Sequence, residues 1–187
     1  MRLTDLLVPT YRNMLRMLFG LLDKAEAQVG AERAEGLLSA RLAPDMWPLS
    51  TQIRFACLQA QEGPRRLMGQ PLDVLDELLN EGRNAGERPG TLAEARGRID
   101  EALAFLDGLA PDALDQVSAD QPMALDLPIG ISFDLTREQF ARDWALGQFY
   151  FHVMAAYAIL RKEGVEIGKA DYVPHMFAYV RKGPDAA

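Results

Sequence analysis

The sequence predicts an all-α protein built as a bundle of four long helices. Four stretches repeat apolar residues at spacings of three and four, the pattern of a helix with one buried face. One of these stretches, residues 144–160, is apolar on almost every side, as expected of a helix buried in a core. Because the chain contains no internal repeat, low-complexity tract or domain linker, residues 1–187 are expected to form a single domain.

The first predicted helix covers residues 5–29, where apolar side chains form one stripe. Pro9 falls in its first turn, where proline is tolerated, and Gly30 is a suitable stop. A short amphipathic segment at residues 32–41 follows.

The second predicted helix covers residues 46–68 and can be capped by Asp45. Pro64 lies well inside it and removes one backbone hydrogen bond, so the sequence predicts a kink or break near Glu62. Residues 80–90 are polar and rich in glycine, which predicts an exposed loop.

Capping boxes mark the starts of the third and fourth predicted helices. Thr91 and Glu94 show this pattern before a helix over residues 92–106. Thr136 and Gln139 show it before the last long helix. The long connections on both sides of the third helix permit a crossed topology.

A β-hairpin is predicted over residues 123–135, where apolar and polar residues alternate around Pro128 and Gly130. Since an isolated hairpin is only marginally stable, it must pack against the helices. The last long helix then covers residues 136–163. The aromatic tail, residues 172–180, is expected to cross the bundle as an irregular segment or short helix.

Charge and cysteine content limit the partners and the compartment. The net charge of −7 argues against nucleic acid, whose binding requires a basic surface. Residues 144–160 are short for a bilayer span and polar at their centre, so no membrane association is expected. The single cysteine, Cys57, excludes an intrachain disulfide and suits a reducing compartment, which favours the cytoplasm.

The candidate site begins with Gln148 and His152, which project from one face of the apolar helix, one turn apart. Buried polar groups normally have partners, so the two are expected to hydrogen-bond each other, nearby hydroxyls or water. Only one other histidine, His175, exists, so a site with three histidines is excluded. A glutamine amide is also a poor ligand for zinc, nickel or iron.

Other reactive or aromatic residues are interpreted mainly as structural. Cys57 would need a base such as His152 to act as a nucleophile, and a buried structural role is favoured. His175 is interpreted as a hydrogen-bonding residue of the tail, with a lid over a pocket as the alternative. The aromatic residues between positions 144 and 157 are expected to build core, with a ligand pocket or dimer face as alternatives.

Several segments together resemble a known family. They are FYFHVMAAYAILRKEGVEIGK at 149–169, LLDKAEA at 21–27, LLSARLAPDMWPLSTQIRFAC at 37–57 and FLDGLAPDAL at 105–114. They resemble a DinB/YfiT-like subfamily catalogued as a domain of unknown function. The resemblance implies a four-helix bundle of up-down-down-up type, commonly a homodimer. In the wider superfamily three histidines bind a divalent metal, and some members are metal-dependent thiol transferases.

Carried over by position, the resemblance places Gln59, Gln148 and His152 where relatives have the three metal-binding histidines. Two of three ligands are then glutamine, which implies a degenerate metal site. Glu62 lies on the same helix face as Gln59, and either Glu62 or water could complete a weak residual site for zinc, nickel or iron. No cofactor is the preferred expectation.

Three functional hypotheses follow. The preferred one is a non-catalytic bundle whose pocket near Gln59, Gln148 and His152 binds a small molecule or nothing. The second is a metal-dependent, transferase-like enzyme that uses His152. The third is a homodimeric interaction protein. No residue is assigned a catalytic role.

Overall fold

Eight α-helices and one β-hairpin make up the computed structural model, which describes residues 2–181. In chain order they are α1 (Leu3–Val29), α2 (Ala31–Leu37), α3 (Leu49–Leu67), α4 (Asp76–Asn84), α5 (Leu92–Asp107), β1 (Pro122–Asp126), β2 (Ser132–Thr136), α6 (Arg137–Gln139), α7 (Leu146–Lys162) and α8 (Lys169–Tyr172). The bundle is formed by the long helices α1, α3, α5 and α7, whose buried apolar side chains join in one core. The predicted four-helix bundle with a hairpin before the last long helix is therefore confirmed.

Side-chain pairs give the direction of α5 relative to α1. Arg12, near the start of α1, pairs with Asp107 at the end of α5. Arg96, near the start of α5, pairs with Glu26 at the end of α1. The two helices therefore run antiparallel.

The same reasoning orients α3 and α7. Gln52 near the start of α3 contacts His152, whereas Gly63 near its end lies beside Ala145, so α3 and α7 are antiparallel. Tyr11 of α1 packs on Phe149, at the start of α7, and the end of α1 lies against the segment after α7. Helices α1 and α7 are thus parallel, which gives the up-down-down-up arrangement.

Both predicted capping boxes are present. The Thr91 hydroxyl accepts a hydrogen bond from the Glu94 amide at 3.1 Å, and the Glu94 carboxylate accepts one from the Thr91 amide at 2.7 Å. Thr136 and Gln139 make the equivalent pair at the start of α6. A π-helical turn, Phe140–Ala145, joins α6 directly to α7.

Helix α3 differs from the sequence prediction, because it is not broken at Pro64. It begins at Leu49, later than predicted, and continues to Leu67. The Pro64 carbonyl accepts a bond from the Met68 amide at 2.9 Å, so the helix closes normally after the proline. Both Gly63 and Pro64 are buried, and packing holds this turn helical despite its weak local preference.

The loop predicted at residues 80–90 is also wrong in its first half, because α4 extends to Asn84. Leu75 and Leu78 are buried against the bundle, and the carbonyl of Gly82 accepts a 2.8 Å bond from the Thr51 hydroxyl on α3. Tertiary packing therefore stabilises a helix whose own sequence favours a turn.

The hairpin pairs β1 and β2 in an antiparallel register from Pro122↔Thr136 to Asp126↔Ser132. Its side chain Leu125 is buried against the helices, as the sequence required. The tail forms a short 3₁₀ helix, Pro174–Tyr179, which is one of the two forms that the sequence left open. Across residues 2–181, none of the helices combines the length and apolarity needed to cross a bilayer.

Candidate functional site

A cavity of about 440 Å³ lies between α3, α4, α7 and the hairpin. Gln59, Gln148 and His152 all line it, and so does Glu62. Most of the remaining wall is apolar or aromatic, formed by Trp47, Phe55, Leu58, Leu72, Leu75, Leu79, Leu125, Leu127, Pro128 and Trp144. The structure thus brings the three positions derived from the resemblance to one cavity.

His152 is held by a residue that the sequence did not single out. Its Nδ1 atom lies 2.9 Å from Oε1 of Gln52, a buried side chain on α3. Within residues 2–181 no hydrogen bond joins His152 to Gln148, which the sequence had suggested as one partner. Aromatic edges flank the imidazole, since the Phe55 and Phe151 ring centroids each lie 5.2 Å away.

Burial also sets the protonation state of His152. Only 8% of the residue is exposed, and loss of hydration lowers the pKa of its imidazole from 6.5 to about 4. The side chain is therefore neutral near pH 7, with one ring nitrogen protonated and the other able to accept a hydrogen bond.

Gln59 belongs to a separate polar cluster on α3, about two turns after Gln52. Its amide nitrogen donates to Glu62 Oε2 at 3.3 Å. The guanidinium of Arg66 donates to Glu62 Oε1 at 2.7 Å, one helical turn away. Both carboxylate oxygens of Glu62 therefore already have partners.

These side chains do not fit a transition metal. One imidazole and two carboxamides are a weak donor set, and Glu62 is neutralised by Arg66. Within residues 2–181 no three His, Cys, Asp or Glu residues are grouped as metal ligands. The imidazole and the two carboxamides can instead donate and accept hydrogen bonds.

Cys57 and His175 do not belong to this cavity. Cys57 is fully buried in α3, and burial raises the pKa of its thiol to about 12. Such a thiol stays protonated at neutral pH and is a poor nucleophile, in agreement with a structural role. His175 lies in the 3₁₀ helix of the tail.

A larger groove of about 780 Å³ over α4 and α5 has a different character. Its walls carry only charged residues, asparagines and glycines. Arg98 pairs with Glu77, Glu81 and Glu101 there, which keeps the pKa of its guanidinium above the ordinary value. These charges pair with one another and tie α4 to α5, so the groove is interpreted as a structural ion-pair network.

Gln52 is the main site residue that sequence reasoning missed. It lies seven residues before Gln59, two turns away on the same face of α3. That spacing was visible, but no local pattern shows which glutamine of α3 meets which turn of α7. The sequence also did not predict that α4 encloses the cavity, because the sequence of α4 favours a turn and the helix is stabilised by packing on the bundle.

Comparison with known proteins places this geometry in a family. A family profile described as "Domain of unknown function (DUF1993)" matches residues 3–173. The comparison with curated proteins gave no match. A solved structure of a DinB family member protein from Shewanella denitrificans is 32% identical, with a TM-score of 0.72 over 99% of this chain and 95% of that chain. The chain therefore belongs to the DUF1993 family of unknown function and has the fold of the DinB family.

Proposed function

We propose that the protein is a non-catalytic small-molecule binder that holds an uncharged, mainly apolar ligand in the cavity lined by Gln59, Gln148 and His152. The observation that supports this most is the composition of that cavity. Apolar and aromatic residues form the larger part of its wall and polar or charged residues form the rest, a mixture that suits a small molecule with a few hydrogen-bonding atoms. Its volume, about 440 Å³, lies within the range usual for such sites.

The polar groups in the cavity also favour an uncharged ligand. His152 is neutral, Gln59 and Gln148 are amides, and Glu62 and Arg66 neutralise each other. Three further charged residues line the wall and carry both signs, Asp76, Arg83 and Asp126. A charged ligand placed beside His152 and the two amides would have to exchange its hydration for neutral partners, which is costly. A neutral molecule with one or two hydrogen-bonding atoms carries a smaller cost.

Binding can be tested with neutral aromatic fragments and the variant Gln148→Trp, which places a large side chain on the cavity wall. A fragment at ten times its Kd should stabilise the wild type by about 1.4 kcal/mol, and this stabilisation should be lost in Gln148→Trp. Thermal unfolding with and without each fragment measures both effects.

Arg161→Trp is the matched control, since Arg161 is exposed on the same helix and does not line the cavity. It should retain the wild-type response. The proposal fails if no fragment stabilises the wild type, or if Gln148→Trp responds as strongly as Arg161→Trp.

The proposal also excludes a metal cofactor, which makes a separate prediction. After dialysis against zinc, nickel or iron(II), the tag-free protein should retain much less than one metal ion per chain, because the donors around His152 are mostly amides. Elemental mass spectrometry measures this ratio. A ratio near one that falls in His152→Ala would instead support a metal-dependent, transferase-like enzyme.

A second proposal is that the chain forms a homodimer through α7. Tyr150, Phe151 and Met154 lie on one side of this helix and are 38%, 58% and 47% exposed. Large apolar side chains grouped on one helix face favour an interface over a solvated surface.

We also place the protein in the cytoplasm, because its one cysteine suits a reducing compartment.

A further inference from the structure

A short chain of hydrogen bonds determines which way Gln52 points. Its Nε2 atom donates to the backbone carbonyl of Trp47 at 3.2 Å, and its Oε1 atom lies 2.9 Å from Nδ1 of His152. A carbonyl can only accept a hydrogen bond, so the amide nitrogen of Gln52 must face Trp47. A flipped amide would place two acceptor oxygens against each other there.

The orientation of Gln52 in turn determines the tautomer of His152. The amide oxygen can only accept, so Nδ1 must carry the proton. Because the buried imidazole is neutral near pH 7, Nε2 is then unprotonated and is an acceptor. Gln52 is 1% exposed, so bulk water cannot easily replace either bond.

We propose that Gln52 is a positioning residue that holds His152 as its Nδ1–H tautomer, so that Nε2 accepts a hydrogen bond from a ligand in the cavity. This inference rests on the proposed function, and it adds a chemical class of ligand. The ligand is an uncharged molecule with an aromatic or apolar body and one O–H or N–H donor.

The shape of the site supports this ligand class. His152 lines the cavity, whereas Gln52, the partner of its Nδ1, does not, so Nε2 is the ring nitrogen that remains available to a ligand there. Nε2 has no protein hydrogen-bond partner within residues 2–181. Trp47, Phe55 and Trp144 provide aromatic surface for the body of the ligand.

The tautomer can be measured without any ligand. In protein labelled with ¹⁵N-histidine at pH 7, long-range ¹H–¹⁵N spectra should show His152 protonated at Nδ1 only. Gln52→Leu removes the acceptor and should move the population toward the Nε2–H form. Gln61→Leu, at another buried glutamine of α3, should leave the His152 spectrum unchanged, since among residues 2–181 the Gln61 side chain bonds only to the Cys57 carbonyl.

Gln52→Glu keeps an acceptor at this position and covers the case in which Gln52→Leu does not fold. Its carboxylate should hold the proton on Nδ1 and favour a second proton on Nε2, so the Nε2 signal should move toward the imidazolium position. The inference is overturned if wild-type His152 carries its proton on Nε2, or if Gln52→Glu leaves both ring nitrogens unchanged.

The ligand class is tested with indole and 1-methylindole, which differ mainly in one N–H donor. Indole should bind the wild type roughly two- to tenfold more tightly, the effect of one hydrogen bond, and should shift the Nε2 resonance of His152. Equal binding of both probes would overturn the inference while leaving the proposed function standing. If neither probe nor any fragment of the earlier screen binds, the proposed function fails as well.

Discussion

Burial, rather than an ion pair, sets the chemistry of His152. Desolvation is the cause of its lowered pKa, and its direct partner is the uncharged Gln52. A carboxylate in place of Gln52 would make the imidazole more basic and more often charged. With a carboxamide there, His152 is suited to accept one hydrogen bond at Nε2 and poorly suited to act as a strong base.

The depressed pKa of His152 predicts a specific loss of stability in mild acid. The folded protein leaves His152 unprotonated between pH 6.5 and about 4, whereas the unfolded chain protonates it there. This contribution is therefore complete above pH 6.5 and decreases as the pH falls toward 4. From pH 7 to pH 5 the wild type should lose about 2 kcal/mol more than His152→Gln in urea unfolding.

A variant that changes no titratable group supplies the control for this pH experiment. Gln61→Leu, which leaves His152 in place, should lose stability between pH 7 and pH 5 as the wild type does. Equal losses in the wild type and His152→Gln would show that the folded protein accommodates the charged imidazole, and the neutral site argued above would be wrong.

At the residue scale, the sequence indicated His152 and Gln148 correctly as polar positions on an apolar helix. The apolar pattern of this helix and the four-residue spacing of the two side chains were enough to show this, because both residues lie on one helix. The partner Gln52 lies on another helix, 100 residues away in the chain. Whether Gln52 or Gln59 contacts His152 depends on the axial position of α3 relative to α7. That position is determined by packing and not by local sequence.

At the scale of elements, α4 closes the cavity through a very close approach to α3. A Cβ atom added to Gly82 would lie 2.7 Å from Cδ1 of Phe55, far inside van der Waals contact, and still nearer to Cε1. Phe55 in turn packs against His152 and lines the cavity. The glycine thus sets the distance between α4 and the aromatic wall of the site.

Gly82→Ala should therefore destabilise the protein by about 1–3 kcal/mol, the usual cost of overpacking, although alanine is the better helix former. Phe55→Leu removes the obstructing ring atoms, so the double variant should lose less stability than the two single variants combined. Denaturant unfolding of the four proteins gives this coupling.

Gly97→Ala on α5 is the matched control, because a Cβ atom there meets nothing within 4 Å. It should stabilise by up to about 1 kcal/mol through helix propensity alone. If Gly82→Ala behaves like Gly97→Ala, α4 does not pack as closely on Phe55 as the structure has it.

The elements also show where sequence patterns stop being informative. The capping boxes at Thr91 and Thr136 are local signals, and both helix starts were predicted from them. Helix α4 has only a few apolar residues and a glycine at its contact point, so its own sequence resembles a loop. Its stability comes from α3, and a single-sequence pattern does not contain that contact.

At the scale of the whole molecule, the bundle leaves one long helix incompletely covered. Helix α7 packs against α1 and α3 with its buried side chains, among them Phe149, Val153 and Ala156. Tyr150, Phe151 and Met154 face away from that core. This arrangement explains why the sequence of α7 is apolar on almost every side, although only part of it is core.

A second copy of the chain is the partner we expect on this face, since isologous pairing of one apolar patch is the commonest route to a dimer. The wild type should therefore run as a dimer in sedimentation velocity experiments, and Phe151→Lys should shift it toward monomer. A charge at the centre of an apolar interface is buried without a partner, which typically costs several kcal/mol. Ile129→Lys, at an exposed apolar position on the hairpin and not on α7, should stay dimeric. A monomeric wild type would leave the α7 face without this role.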